Sequence, residues 1–407
     1  MEKFYLIVMW EKIPFAMRYL AIAILYFLAI VQGIGFTNVP ALSTFLTAFH
    51  GFGLTTAQYG SLFLPMIAGA VASSFFGGIL AKRYSLKLLL LIAVLFNVVA
   101  MACLAGGQWK LHDIAFTYPL LMTAMTFLGL GFGAAITALN PFVVHFFPKR
   151  SSSALTALHS CLGIGTAIGP LLLNVFFDFN IWWGEPAVIS LLYFFLFLLA
   201  LILLPKDASL EEKGPGEAKT SRSMFGIFVL IAVLYGITET TFGNWANIFL
   251  HQEKRFNQID ANYALSTFWG CVTAGRILAT LLSLKVPARS IFRFLPFFIL
   301  GGIGLILIIN SLSTAILAFG LAGIGCSAFL PLTINFGIKN LLSNPSFASG
   351  LLIAVYMFGY GIAAEGIGFL HKSEHLPFQS VYLWLGALVI ILGTFCFLGT
   401  SKKHPNE

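Results

Sequence analysis

Long apolar stretches separated by short polar segments run along almost the whole chain. Twelve of these stretches reach the length of about 20 residues that an α-helix needs to cross a bilayer. Their approximate limits are 20–46, 57–81, 87–107, 116–146, 152–176, 184–204, 225–250, 260–284, 291–310, 313–339, 347–370 and 378–398. Each stretch is continuously apolar, whereas the strands of a membrane barrel alternate apolar and polar positions. The pattern therefore predicts an all-α membrane protein with twelve transmembrane helices, numbered α1 to α12 in chain order.

The composition agrees with this fold class. Of the 407 residues, 59% are hydrophobic and only 9% are charged, and the mean hydropathy is +0.92. A soluble globular domain carries about 25% charged residues. The chain is therefore expected to lie in a lipid bilayer rather than in water.

Basic residues are distributed unevenly between the two sides of the predicted membrane. Eighteen of the 23 Lys and Arg residues fall on one side. These are Lys3, Lys12, Arg18, Lys82, Arg83, Lys87, Lys149, Arg150, Lys206, Lys213, Lys219, Arg222, Lys285, Arg289, Arg293, Lys339, Lys402 and Lys403. Such an excess marks the cytoplasmic side, so we expect both termini in the cytoplasm of a protein of the cell (inner) membrane. The charges are spread over separate segments rather than one face, so we expect no nucleic-acid partner.

One long polar stretch divides the helices into six and six. Its sequence, PKDASLEEKGPGEAKTSRS, combines charged, Gly, Pro and Ser residues. We therefore predict an N-terminal six-helix bundle at 1–204, a cytoplasmic linker at 205–223 and a C-terminal six-helix bundle at 224–407.

The two halves show weak internal similarity. The segment Ala29–Thr37, AIVQGIGFT, pairs with Ala232–Thr240, AVLYGITET, about half the chain later. A Gly-x-Gly motif at Gly163 pairs in the same way with one at Gly359. Such spacing is typical of two repeated helix bundles related by pseudo-symmetry, with a substrate site between them near the membrane midplane.

The strongest chemical signal lies in α7, where a carboxylate and several amides interrupt an apolar run. A charged side chain at the bilayer centre costs roughly 2.5–3.5 kcal/mol on insertion scales, so such residues usually face a cavity or a partner. Glu239 is therefore the predicted proton-coupling residue. Thr240, Asn244, Asn247 and His251 recur at helical spacing on one face, which predicts the wall of a transport pathway. The first three are predicted substrate contacts.

The same helix contains residues with two alternative interpretations. Gly236 and Gly243 permit a local break, of the kind seen in transporter helices. Trp245 is interpreted either as a platform for the apolar face of a sugar or as an anchor at the outer membrane interface.

Other polar groups inside apolar runs complete the predicted substrate site. Gln32 and Asn38 of α1 are interpreted either as hydrogen-bonding partners between helices or as substrate contacts. Asn140 near the end of α4 is a further candidate. Tyr356 and Tyr360 lie on one face of α11 and are also predicted substrate contacts.

Two basic side chains lie within predicted helices. His159 in α5 is interpreted either as a proton relay, because imidazole titrates near neutral pH, or as a packed neutral side chain, which is favoured. Arg276 in α8 is expected to cap backbone carbonyls or extend toward water in a gating role, in preference to contacting substrate.

The loop between α2 and α3 carries the first resemblance to a known family. Gly78, Arg83 and Lys87 fit the loop signature of the major facilitator superfamily, while Lys82 stands at the position of the family's Asp and Ser85 at that of its second Gly. The resemblance implies the major facilitator fold and a gating role for Arg83. The charged latch that the family's Asp provides is not expected in this chain.

A narrower resemblance lies in α7 and α8. Gly236, Glu239 and the sequence Gly243-Asn244-Trp245, followed by FWGCVTAGR at Phe268–Arg276, are similar to the fucose permease-like branch of sugar–proton symporters. That branch also implies carboxylates in α1 and α4, where this chain has only amides as the nearest polar groups. A strict copy of the branch's proton mechanism is therefore not expected.

These features favour a secondary transporter that moves a small polar solute, such as a sugar, by alternating access with protons. No phosphate-binding GxxxxGK(S/T) loop is present, so a gradient must supply the energy. Export of an amphipathic compound, drug or siderophore-like metabolite is the alternative. No enzyme, cofactor or metal site is expected, since no pair of cysteines forms a CxxC motif and no nucleophile faces a base. We expect the protein to function as a monomer.

Overall fold

The computed structural model of the protein describes residues 15–205, 222–340, 345–373 and 376–401. Within these ranges, twelve helices are long and apolar enough to cross a membrane. From α1 to α12 they are Met17–Thr47, Thr56–Arg83, Leu86–Lys110, Ile114–Phe146, Ser153–Asp178, Gly184–Leu203, Phe225–Gln252, Gln258–Leu282, Ala288–Leu307, Leu312–Ile338, Ala348–Ser373 and Phe378–Gly399. Each overlaps one predicted apolar run, which confirms the predicted all-α fold with twelve transmembrane helices.

Three of the twelve helices are broken rather than continuous. The segments are Phe15–Ala41 and Ser43–Thr47 in α1, Thr56–Ser61 and Phe63–Arg83 in α2, and Leu312–Cys326 and Phe329–Asn340 in α10. Proline lacks a backbone N–H and its ring crowds the preceding turn, and Pro65 and Pro331 follow the breaks in α2 and α10 within four residues. Pro40 instead lies inside the first segment of α1. By contrast, α7 runs without interruption through Gly236 and Gly243, so these glycines do not break it.

The helices form two six-helix bundles with the same internal packing. In the first bundle α1 packs on α5 and α6, α2 packs on α4, and α3 packs on α4 and α6. In the second bundle α7 packs on α11 and α12, α8 packs on α10, and α9 packs on α10 and α12. The matching arrangement confirms the two pseudo-symmetric bundles.

Glycines allow the tightest helix crossing of the first bundle, between α1 and α5. A Cβ atom on Gly33 would lie 2.0 Å from the carbonyl oxygen of Leu162, and one on Gly165 would lie 1.9 Å from that of Ile30. These separations are too short for any side chain. Small residues permit such close approach of helix backbones within a membrane, where dispersion contacts drive helix association.

The second bundle repeats this crossing between α7 and α11. A Cβ atom on Gly236 would lie 2.2 Å from the carbonyl oxygen of Tyr356, and one on Gly359 would lie 2.1 Å from that of Val233. The crossing places the middle of α7, and therefore its polar residues, directly against α11.

The structure corrects one detail of the internal repeat. The sequence pairs Gly163 with Gly359. In the structure, however, the counterpart of Gly359 is Gly165, two positions later: Gly359 contacts α7, and Gly165 makes the equivalent contact with α1. Gly163 instead faces the other bundle, since a Cβ atom there would lie 2.1 Å from Oγ1 of Thr273. Two nearby glycines had made both alignments compatible with the sequence.

Basic side chains stabilise the ends of α6 and α12 in equivalent ways. At the start of α3, Nζ of Lys87 donates to the carbonyl oxygens of Leu201 and Leu204 at 2.8 and 2.7 Å. At the start of α9, Arg293 donates to the carbonyl oxygen and the hydroxyl of Thr400 at 2.6 and 2.8 Å. The last carbonyl groups of a helix lack intrahelical donors and favour a nearby positive charge. The signature residue Lys87 therefore has a clear structural function.

The predicted linker falls almost entirely outside the described residues. These include residues up to 205 and continue from 222. The domain limits at 204 and 224 therefore stay a prediction.

Candidate functional site

The predicted proton-coupling residue lies in a buried hydrogen-bond cluster of the second bundle. Glu239 is 6% exposed. Its Oε1 accepts a hydrogen bond of 2.8 Å from the hydroxyl of Tyr235, and its Oε2 accepts one from the hydroxyl of Tyr356 in α11. Both donors are neutral, and among the described residues no basic nitrogen lies within 4.0 Å of this carboxyl group. The group is thus buried without a direct ion-pair partner, although Arg276 of α8 lies close enough to interact with it electrostatically. Such an environment suits a carboxyl that binds and releases a proton.

Tyr235 is a candidate that the pattern of polar residues misses, because tyrosine does not stand out in an apolar run. Its hydroxyl also donates to the carbonyl oxygen of Cys326 at 3.0 Å, next to the break in α10. Its ring stacks on that of Tyr356 with 5.7 Å between centroids. The signal that would have identified it is its position four residues before Glu239, since residues at that spacing share a helix face.

Arg276 caps the break in α10. Its Nε donates to the carbonyl oxygen of Ser327 at 3.1 Å, between the two helical segments of α10. His159 in α5 is half-buried and lies close enough to Arg276 to interact with it electrostatically. The contact of Arg276 is structural in this conformation. Its gating role and the proton-coupling role of His159 stay predictions.

Asn244 forms a second polar group one turn from the cluster. Its Nδ2 donates a hydrogen bond of 2.8 Å to the hydroxyl of Tyr360, and that hydroxyl lies 3.0 Å from Oδ1 of Asn244, to which it can donate. The backbone carbonyl of Asn244 accepts a hydrogen bond of 2.8 Å from the hydroxyl of Tyr59, in the first bundle. The structure therefore brings two predicted substrate contacts together at the boundary between the bundles.

The two bundles contact each other closely at one end of the molecule. This is the end that carries the α1–α2 and α7–α8 connections, and it is called the α1–α2 end. Here the hydroxyl of Thr56 donates to the carbonyl oxygen of Gly368 at 3.2 Å. A Cβ atom on Gly60 would lie 2.3 Å from the carbonyl oxygen of Ala364. Helix α2 thus packs directly on α11, and this end of the molecule is closed.

A chain of amide side chains crosses the same end. Nδ2 of Asn247 donates to the carbonyl oxygen of Ala41 at 3.2 Å and to Oδ1 of Asn262 at 2.6 Å. Asn262 donates in turn to Asn174 in α5 at 2.7 Å, and Gln258 also donates to Ala41. The break in α1 leaves the Ala41 carbonyl available to these donors. Asn247 therefore links the bundles in this conformation, and its predicted contact with substrate stays a prediction.

Trp245 occupies the interior of the closed end. Its side chain is 0% exposed and packs against Tyr59, with ring centroids 5.1 Å apart, and against Phe378 at 5.6 Å. In this conformation the ring is enclosed by protein side chains. Interior packing is thus a third possibility that the sequence interpretation had not included.

The two polar residues of α1 have partners inside the first bundle. Gln32 and Asn97 of α3 form a reciprocal amide pair, with hydrogen bonds of 2.8 and 3.4 Å. Nδ2 of Asn38 donates to Oε2 of Glu185 in α6. Helix pairing is therefore observed for both, while their contact with substrate stays a prediction. The sequence interpretation missed Glu185 because it lies at the edge of an apolar run, where acidic residues ordinarily face water.

Three further candidates are less constrained by protein contacts. Asn140 Oδ1 and Thr240 Oγ1 are buried and have no hydrogen-bond partner among the described residues. Buried polar atoms are normally hydrogen-bonded, so these atoms are suited to accept or donate to a solute. Arg83 is exposed, and its guanidinium lies 5.6 Å from the ring centroid of Tyr84. Its predicted gating role stays a prediction.

Replacement of Asn262 with Ala is expected to loosen the closed end. The change removes two hydrogen bonds, the one from Asn247 to Asn262 and the one from Asn262 to Asn174. Leaving a buried polar group unsatisfied costs about 1–3 kcal/mol. Spin labels at Gln108 and Asn310, which are exposed and lie in opposite bundles at this end, should show a longer distance by electron paramagnetic resonance.

A matched control for this experiment is Asn97→Ala. Asn97 also pairs with an amide, Gln32, but within one bundle. The distance between the labels should not change in this variant. Equal lengthening in both variants, or none with Asn262→Ala, would show that the amide chain does not hold the bundles together.

The sequence comparison decides the family. Residues 22–364 match the Major Facilitator Superfamily. The chain belongs to this superfamily. The twelve helices of the described residues that are long and apolar enough to cross a membrane make it an integral membrane protein. The resemblance suggested by the loop between α2 and α3 is confirmed.

Individual superfamily members show the same relationship. The chain is 24% identical to the glucose/mannose transporter GlcP of Bacillus subtilis (strain 168), over 88% of this chain and 90% of GlcP. Its fold matches the crystal structure of the nucleoside transporter NupG with a TM-score of 0.75 at 14% identity, over 93% of this chain and 100% of NupG. It also matches the E. coli fucose:proton symporter FucP with a TM-score of 0.59 at 18% identity, over 95% and 100%. The superfamily and these relatives are transporters rather than enzymes.

Proposed function

We propose that this protein is a proton-coupled symporter that imports a hexose sugar by alternating access. The observation that carries the proposal is the buried Glu239 carboxyl group, held by Tyr235 and Tyr356 with no described basic side chain in direct contact. Tyr235 also contacts α10, so the cluster joins α7, α10 and α11. Gain or loss of a proton changes the donors and acceptors within the cluster. A conformational equilibrium shifts when a bound species favours one state, and the proton is that species here.

The polar atoms without protein partners support a hydroxyl-bearing solute. Thr240 Oγ1, Asn140 Oδ1 and Trp269 Nε1 are buried and unpartnered among the described residues. The ring of Trp269 lies 6.1 Å from that of Phe36 in the other bundle, so it lies between the two halves. An indole supplies both an N–H donor and an apolar face, which suits a sugar ring. The relationship to a glucose/mannose transporter favours hexoses over other polar solutes.

We assign the α1–α2 end to the outside of the cell. The sequence pattern assigns eighteen of the 23 basic residues to the opposite side of the membrane, and basic loops stay in the cytoplasm. Both termini are then cytoplasmic, and the described conformation is closed to the outside. We further propose that the bundles at 1–204 and 224–407 rock about the central site, and that the protein functions as a monomer.

The proposal is tested with the purified full-length protein in liposomes under an imposed inward proton gradient. Radiolabelled glucose, mannose, fucose and nucleosides are supplied separately. We expect accumulation of a hexose that collapses on addition of a protonophore. Accumulation of nucleosides alone would show the sugar assignment to be wrong. Movement of a hydrophobic dye in exchange for protons, without sugar transport, would favour export of an amphipathic compound.

A further inference from the structure

The two polar pairs of α1 differ in the number of hydrogen bonds that their members share. Gln32 and Asn97 exchange two hydrogen bonds, because each amide has both a donor and an acceptor. Asn38 and Glu185 share only the bond from Asn38 Nδ2 to Glu185 Oε2. An ionised carboxylate has no hydrogen to return. A neutral carboxyl group has one, and it would make the second pair reciprocal like the first.

The atoms that this proton would join are those without partners. Glu185 Oε1 and Asn38 Oδ1 are both buried and have no hydrogen-bond partner among the described residues. The two side chains are 0% and 2% exposed, so both are shielded from bulk water. Both atoms are acceptors while the carboxyl is ionised. A proton on Oε1 converts it into a donor for the amide oxygen of the same pair, which satisfies both atoms together.

The surroundings of Glu185 supply no compensating charge. Helix α6 packs on α1, α3 and α5, and none of their described residues forms an ion pair with this carboxyl group. Tyr193 of α6 is a titratable residue that interacts electrostatically with Glu185. Its hydroxyl donates a hydrogen bond of 3.1 Å to the carbonyl oxygen of Val31. Glu185 lies in the first turn of α6, where the helix dipole favours a negative charge. That effect is smaller than the cost of burying a charge without a counter-ion.

We propose that Glu185 is a second proton-binding residue, whose neutral form fixes α1 through a reciprocal pair with Asn38. The pair lies next to the closed end, because Asn38 is three residues before Ala41. The carbonyl of Ala41 accepts hydrogen bonds from Asn247 and Gln258 of the other bundle. Loss of the proton leaves one bond in the pair and removes a restraint on this part of α1. The proton site thus deepens the proposed function by linking proton binding in the first bundle to closure of the α1–α2 end.

Infrared difference spectroscopy tests proton binding directly. The carbonyl stretch of a neutral carboxyl group is separate from the bands of a carboxylate. In the Glu239→Gln background, which removes the other buried candidate, we expect a neutral-carboxyl band at neutral pH that Glu185→Gln eliminates. A spectrum in which Glu185→Gln removes no such band would overturn the proposal. This result does not depend on transport, so it is distinguishable from failure of the proposed function.

The pH dependence of the closed end tests its coupling to the pair. The closed state holds a proton that alkaline conditions remove, so its population falls as pH rises. In the Glu239→Gln background, which removes the other proposed proton site, labels at Gln108 and Asn310 should therefore move apart with rising pH. Adding Glu185→Gln supplies a permanent amide donor, and the distance in that double variant should stay short at every pH. The same pH response in both proteins would contradict the coupling.

A third variant separates this role from simple packing. Glu185→Ala removes the pair at every pH, so the labels should be far apart at low as well as high pH. A short distance in the Ala variant would show that the pair does not restrain α1.

Discussion

Proteoliposomes that contain the Glu239→Gln protein are expected to equilibrate the solute across the membrane without accumulating it. Glutamine keeps the size of the side chain and an acceptor for the tyrosine hydroxyls, but it cannot carry a proton. One proton moving down 100 mV releases about 2.3 kcal/mol, which supports roughly forty-fold accumulation of one solute molecule. The accumulation ratio should fall from about this value to about one. Uptake of labelled solute under an imposed potential measures it.

A second measurement separates loss of coupling from loss of the transport cycle. Exchange of labelled for unlabelled solute at equilibrium needs no net proton movement, so it should persist in Glu239→Gln. The matched control is Glu365→Gln, which changes a half-buried glutamate of α11. That variant should accumulate solute like the wild type. Full accumulation by Glu239→Gln would exclude Glu239 as the coupling residue.

Substitution of Gly236 with Ala is expected to destabilise the second bundle. The added methyl group would lie 2.2 Å from the carbonyl oxygen of Tyr356, and the helix backbones must separate to admit it. Overpacking of this kind costs typically about 1–3 kcal/mol. Separation of α7 from α11 also pulls the Tyr356 hydroxyl away from Glu239. A lower thermal midpoint in detergent and a slower transport rate should both result.

Gly226 provides a control within the same helix. A Cβ atom at this position meets nothing within 4 Å. Because Ala favours a helix over Gly by about 1 kcal/mol, Gly226→Ala should leave the thermal midpoint unchanged or raise it. Equal destabilisation by both substitutions would mean that the α7–α11 crossing is not the cause.

Most of the fold was predictable because a bilayer imposes a simple constraint on sequence. Backbone polar groups have no water to bond in the membrane core, so each crossing needs a long, continuous apolar helix. The breaks at Leu42, Leu62 and Ser327 were not predicted, although a proline lies within four residues of each, because proline alone does not decide where a helix breaks: α4 continues through Pro119 and Pro141. Contacts from other helices also contribute. Arg276 illustrates this, since the carbonyl that it caps belongs to α10.

The position of the proposed proton-binding residue was easier to predict than the hydrogen-bond partners of the site residues. A lone carboxylate in an apolar run identifies Glu239 without any structure, since only a specific environment tolerates it. Its donor Tyr235 and the pairs formed by Asn97 and Glu185 were missed. Tyrosine, asparagine and glutamate at such positions have many possible neighbours, and the choice is made by packing between helices far apart in sequence.

Coupling of solute movement to protons is decided by recording both movements in the same experiment. Solute is added outside liposomes that contain the wild-type protein, with no initial pH difference across the membrane. External pH and internal solute concentration are then recorded together. The external medium should become more alkaline as solute enters, in a fixed ratio of protons to solute. Solute entry without any change in external pH would contradict it.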